Sequence, residues 1–201
     1  MAFEEGLAKS EKAYEQFTEV STAFAEIVKD EFITTWQWWV GLALFIIPWL
    51  VWMKYRKKDS TGRLLLAGLL IIILSLTIDL AALSLGLWSY PLIIIPLAPF
   101  LFLPYHFSLA PVGIMFALQI KPQMNSLLKG ILFSAIAAFG GMNFFNAIDF
   151  YNPKSWSTLY DFVIFLTLYY AGYWITRMES LNGLDKIKSE GEQNEKNKRL
   201  S

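Results

Sequence analysis

The chain contains no cysteine and a single histidine, His106, among its 201 residues. The first absence removes disulfides, thiolate nucleophiles and cysteine-ligated metal sites together. The second leaves a zinc site to carboxylates almost alone, so no metal centre is expected. Charged residues make up only 17% and balance at 17 basic and 17 acidic, so no net basicity points to a nucleic-acid partner. Also missing are a Gly-rich phosphate loop, a His-Glu pair at metal-binding spacing and a nucleophile elbow, and no cofactor is implied. Serine and threonine occur inside apolar segments with no histidine or lysine base nearby, and read as helix-packing groups. The chain also lacks a charged lumen for a large polar solute, which argues against a complete transporter in one subunit.

What is abundant is apolar: 55% hydrophobic and 16% aromatic residues, a membrane composition. Five spans are expected, at about 36–53, 64–86, 103–120, 130–148 and 159–175, each near the ~20 residues that a helix needs to cross a bilayer. The fold class is therefore an all-α integral membrane protein with a five-span domain over 36–177. Trp36, Trp38 and Trp39 open the first span and Trp49 and Trp52 close it, where interfacial anchoring is the default reading. An N-out, C-in orientation puts thirteen Lys and Arg inside and four (Lys9, Lys12, Lys29 and Lys154) outside.

Residues 1–35 carry eight acidic and three basic side chains, while Leu7, Tyr14, Phe17, Val20, Phe24, Ile27 and Val28 recur at helical spacing. An extracytoplasmic amphipathic helix follows, one that packs on the protein's own spans or docks on a membrane surface or a protein partner. With no basic n-region or early apolar core, this segment is not a cleavable signal peptide, and the first span serves as its own insertion signal. Residues 178–201 are polar and read as a disordered cytoplasmic tail.

The most informative residue is Asp79, a carboxylate inside an otherwise uncharged apolar run. Ser75, Asp79, Ala82 and Gly86 form one small or polar stripe that must face other helices. Beyond it, Gly86-Leu87-Trp88-Ser89-Tyr90-Pro91 ends the helix, and Pro96, Pro99 and Pro104 prevent a regular helix before Tyr105-His106. Residues 87–104 are thus an outer-face cap, re-entrant or interfacial. In the fourth span Ser134, Ala137, Ala138, Gly140 and Gly141 permit close approach, and Asn143 and Asn146 share a face, with Asp149 beyond. The expected polar cluster is Asp79, Asn143 and Asn146 with His106 or Tyr105, near Trp88, Tyr90 and Asp149. It fastens helices, contacts a ligand, or carries protons.

At Asp79, Gly86-Leu87-Trp88-Ser89-Tyr90-Pro91 and Phe102-Leu103-Pro104-Tyr105-His106, with Trp156 further on, the chain resembles a family of small uncharacterised multi-pass membrane proteins. That family belongs mainly to spore-forming Gram-positive bacteria and is known by a clostridial locus name. The resemblance, over about residues 36–177, implies a bacterial cell-membrane location, extending to the spore or forespore membrane, and supplies no activity. Asp79, Gly86 and Trp88 are also similar to the pattern of the lycopene cyclase domain. Where that enzyme has paired glutamates, this chain has Pro104-Tyr105-His106-Phe107 and no acid from Leu80 to Ala147. The expectation is a non-enzymatic component that binds membrane lipids, an apolar ligand or a protein partner. Its alternatives are an enzyme acting on an isoprenoid or lipid, with Asp79 as acid, and an oligomeric proton or ion path through Asp79.

Overall fold

The computed structural model describes residues 2–96 and 101–178. The tail expected over 178–201 lies almost wholly outside the described residues, as does part of the cap. Every named element among the described residues is helical: α1 (Ala2–Ile27), α2 (Trp36–Tyr55), α3 (Thr61–Ser84), α4 (Ala110–Gln119), α5 (Ser126–Ala135), α6 (Asn143–Ala147) and α7 (Thr158–Thr176). Three π-helical segments interrupt them: Val28–Phe32, Tyr105–Leu109 and Ile136–Met142.

Three helical stretches are long and apolar enough to cross a membrane: Trp36–Tyr55, Lys58–Ser84 and Ser126–Ala147. The stretch expected as a third span, 103–120, is helical over 103–119, with a π-turn at Tyr105–Leu109 ahead of the ten-residue α4. At ~1.5 Å per residue it falls short of the ~30 Å hydrocarbon layer. Helix α7 has 19 residues, with Asp161 and four tyrosines diluting its apolar character.

Local chemistry sets the boundaries. Thr35 caps α2 by accepting from the Trp38 N–H, Asn125 caps α5 through the Leu127 and Leu128 N–H groups, and Ser157 caps α7 through Leu159. Gly86 adopts a left-handed φ of 68° and ends α3: its N–H donates to the Leu83 carbonyl, and the Leu87 N–H to Ala82. That pair of bonds is the Schellman termination.

Helix α3 is central. It packs on α4 and α7, while α5 and the 136–142 turn pack on α7, and α2 lies against the 105–109 turn. Its buried residues Leu64, Ala67, Gly68, Ile71, Ser75, Asp79 and Ala82 recur at steps of three and four, the stripe of a core-facing helix. Close approach occurs at glycines other than those expected. A Cβ at Gly41 would collide with Ile94, and one at Gly130 would sit 2.8 Å from the Tyr169 ring, whereas Gly140 and Gly141 face open space.

Helix α1 buries none of its residues. Phe3, Leu7 and Tyr14 are exposed, so the expected packing of this helix on the spans is confined to its end, where Phe24 meets the cap region and Val28 is buried. The expected role of the tryptophans as interfacial anchors also needs amending. Trp36, Trp39 and Trp174 are exposed, but four indoles donate inside the protein: Trp38 to the Ile94 carbonyl, Trp49 to Phe107, and Trp88 and Trp156 to carboxylates.

Candidate functional site

Asp79 lies one and a half turns before the end of α3 and is 3% exposed. An isolated carboxylate at such a depth is strongly unfavourable unless donors surround it. Three do. The Trp88 indole N–H and the Tyr90 hydroxyl donate to Oδ1 at 2.8 and 2.6 Å, and His106 Nε2 stands 3.0 Å from Oδ2. The Schellman turn at Gly86 reverses the chain so that Trp88 and Tyr90 come back over the α3 terminus. The wider π-turn at 105–109 turns His106 inwards, where it is fully buried. Burial, then the neighbouring Asp79 carboxylate, holds the Tyr90 phenol well above its ordinary pKa, so it remains a donor.

Ser75 extends the chain of contacts, its Oγ 3.2 Å from His106 Nδ1, so one intramembrane serine does have a histidine beside it. The Ser75 hydroxyl has one proton for two acceptors, His106 Nδ1 and the Ile72 carbonyl, itself 3.2 Å away. If it donates to Nδ1, the imidazole is neutral and Nε2–H donates to Asp79. If it donates to Ile72, its oxygen is free to accept from Nδ1–H instead.

A second carboxylate, Asp161, faces the same region from the first turn of α7 and accepts from the Trp156 indole at 3.1 Å. The Trp88 and Trp156 rings meet edge to face at 4.9 Å. Ser89 and Asn152 exchange both backbone hydrogen bonds, at 3.0 and 2.8 Å, joining the cap to the loop before α7. Between the carboxylates is a cavity of about 30 Å³ lined by Asp79, Asp161, Tyr90, Tyr105 and Tyr151 among others. The Tyr151 hydroxyl there faces the Asp161 carboxylate. A polar space of this size holds about one or two waters.

Asn143, Asn146 and Asp149 do not join this cluster; all three are exposed. The buried face of this stretch runs through Ser134, Ala138 and Met142, across the π-turn at 136–142, and both asparagines lie off it. Asn143 instead donates to the Phe139 carbonyl. Asp149, at φ 63°, is the left-handed residue of a second Schellman motif, with the Phe150 N–H on the Phe145 carbonyl. Asp161 escaped sequence analysis because an acid in the first turn of a helix reads as a dipole partner; its spacing of five from Trp156 was the available signal.

The chemistry open to this arrangement is limited by space. Asp79, His106 and Ser75 have the connectivity of a nucleophilic triad. Ser75 is buried, however, and the adjoining cavity is far too small for an acyl or isoprenoid substrate. Towards the other end of the bundle, Ile71, Ile114 and Leu168, all fully buried, pack in one apolar cluster. The bonds from Trp88, Tyr90 and His106 to Asp79 form a clasp between the cap and α3. Next to it, open to the outside of the bundle, is a larger groove, about 400 Å³, lined by Phe24, Leu80, Leu83, Trp88, Tyr90 and Lys154 among others. Compared with family models, curated proteins and solved structures, the chain matches none.

Proposed function

We propose that this chain is a non-enzymatic, five-span protein of a bacterial cell membrane, N-terminus outside, that holds an apolar, lipid-like molecule at its cap end. In this reading Tyr105–Gln119 and α7 complete the bundle formed with the three longer stretches, and the segregation of basic residues supports the orientation. The observation that carries the reading is the groove beside the clasp. Its walls are the lipid-facing Leu80 and Leu83 of α3, Phe24 of α1 and the Trp88 ring, with Lys154 as a cation at the rim. That combination suits an amphiphile with a long apolar body and an anionic or polar end. The clasp fixes Trp88 and Tyr90, so one wall of the groove is pre-formed.

Native mass spectrometry of protein extracted in mild detergent tests the reading. A stoichiometric lipid-sized adduct is expected in the wild type and should be lost in Leu83→Trp, which fills the groove. Adduct-free wild-type protein would defeat the proposal. Turnover of an added isoprenoid that disappears in a folded Asp79→Asn variant would replace it with the enzymatic alternative. The exposed apolar positions of α1 favour a second reading, a protein partner for residues 1–35, which the same preparation would reveal as a co-purifying polypeptide.

A further inference from the structure

The opposite end of the bundle carries a second, unrelated concavity. A cleft of about 280 Å³ opens where the start of α3, the α4–α5 turn and the end of α7 meet. Four cations line it, Lys57, Arg63, Lys129 and Arg177, and no Asp or Glu is among the described lining residues. They come from three separate stretches of chain, 57–63, the start of α5 and the end of α7, so their convergence is a product of the fold.

A preference for Lys and Arg on one side of a membrane explains basic residues at span ends. It does not explain their gathering around a cleft. Lys54, Lys58 and Lys121 show the ordinary arrangement, exposed and outside the lining, and within the lining Lys57 and Arg177 are exposed as well. Arg63 and Lys129, by contrast, are half-buried, and like charges brought together in a partly desolvated site repel unless an anion sits between them.

The cations are also oriented. The Lys129 ammonium donates to the Ile120 and Leu118 carbonyls at 2.7 and 3.4 Å, which anchors it over the end of α4 and leaves a third N–H. The Arg177 guanidinium lies over the Tyr173 ring, 5.2 Å from its centroid, a contact that holds the planar fork in place. Arg63 has no ion-pair or hydrogen-bond partner among the described residues. Behind the cations the wall turns apolar, with Leu64, Leu118 and the Tyr169 ring.

From this geometry we infer that the basic cleft is a binding site for a phosphate-bearing headgroup, the phosphodiester meeting Arg63 and Arg177 and the attached carbon chain lying against Leu64 and Leu118. Arginine forks match phosphate oxygens bidentately, and basic pockets between membrane helices are suited to anionic lipid. The site is independent of the groove at the cap end.

The test uses the full-length protein. In phosphatidylcholine nanodiscs with and without phosphatidylglycerol, native mass spectrometry should find phosphatidylglycerol retained preferentially after delipidation. The double variant Arg63→Gln, Arg177→Gln should lose that preference by about fivefold per charge removed. Lys54→Gln, Lys58→Gln removes the same net charge outside the cleft and should leave the preference intact. A parallel thermal melt with inorganic phosphate separates the sources. Stabilisation by phosphate without lipid preference would assign the same anion site to a free phosphate compound. If the two double variants lose lipid equally, or if neither probe binds, the inference falls. Should the Gln pair fail to fold, Arg63→Lys, which keeps the charge and loses the fork, must still weaken retention.

Discussion

The two ends of this bundle treat polar side chains in opposite ways. At the cap end Asp79 is ringed by Trp88, Tyr90 and His106, and Asp161 is bonded to Trp156, so each buried carboxylate has a donor within 3.1 Å. At the basic end four cations of one sign share a cleft without an acidic partner among the described lining residues. A satisfied cluster stabilises the fold and resists substitution, because removing any one member strands the others in a low-dielectric interior. An unbalanced cluster adds little to the fold and stays available to a ligand. Both ends are polar features of an apolar protein, and only their internal pairing distinguishes structure from binding.

That contrast can be broken most directly at Asp79. Asp79→Ala leaves an indole, a phenol and an imidazole without their acceptor and should destabilise the protein by about 3–5 kcal/mol, read by denaturant or thermal unfolding in detergent. A smaller value would show that the clasp is not what holds the cap. Next comes Gly41→Leu: a Cβ there already meets Ile94, and the added side chain would displace the cap from α2 at a cost of about 2–3 kcal/mol. Trp88→Phe keeps the ring and removes one donor to the carboxylate, for an expected loss of about 1.5–2 kcal/mol in the same assay. The smallest effect sharpens the comparison from the other side. Arg63→Gln should change stability by less than about 0.5 kcal/mol while altering what the protein retains from anionic bilayers.

Legibility in the sequence followed distance along the chain. Asp79, Trp88 and Tyr90 lie within eleven positions, and a carboxylate in an apolar run, a helix-ending glycine and two polar aromatics were sufficient to bring them together on paper. The helical stretches at 36–55, 58–84 and 126–147 stand close to where hydropathy places them. The fourth-span asparagines were misplaced because polarity inside an apolar run reads as a need for a partner on another helix, whereas Asn143 bonds to the Phe139 carbonyl of its own. The stretch expected over 103–120 is helical over 103–119, but a π-turn at Tyr105–Leu109 breaks its α-helical phase, which apolar content does not register. Counting Lys and Arg by side gave a polarity but not a cleft, since convergence of Lys57, Arg63, Lys129 and Arg177 depends on how α3, α5 and α7 cross.

Every group that neutralises the isolation of Asp79 follows it in the chain, the farthest being His106, 27 positions later. A nascent α3 leaving the ribosome therefore carries an unaccompanied carboxylate for as long as those positions take to be made, about one to five seconds at ordinary synthesis rates. Burial of Asp79 is then coupled to the arrival of Trp88, Tyr90 and His106, so the packing of α3 is completed only once the chain through His106 has been made.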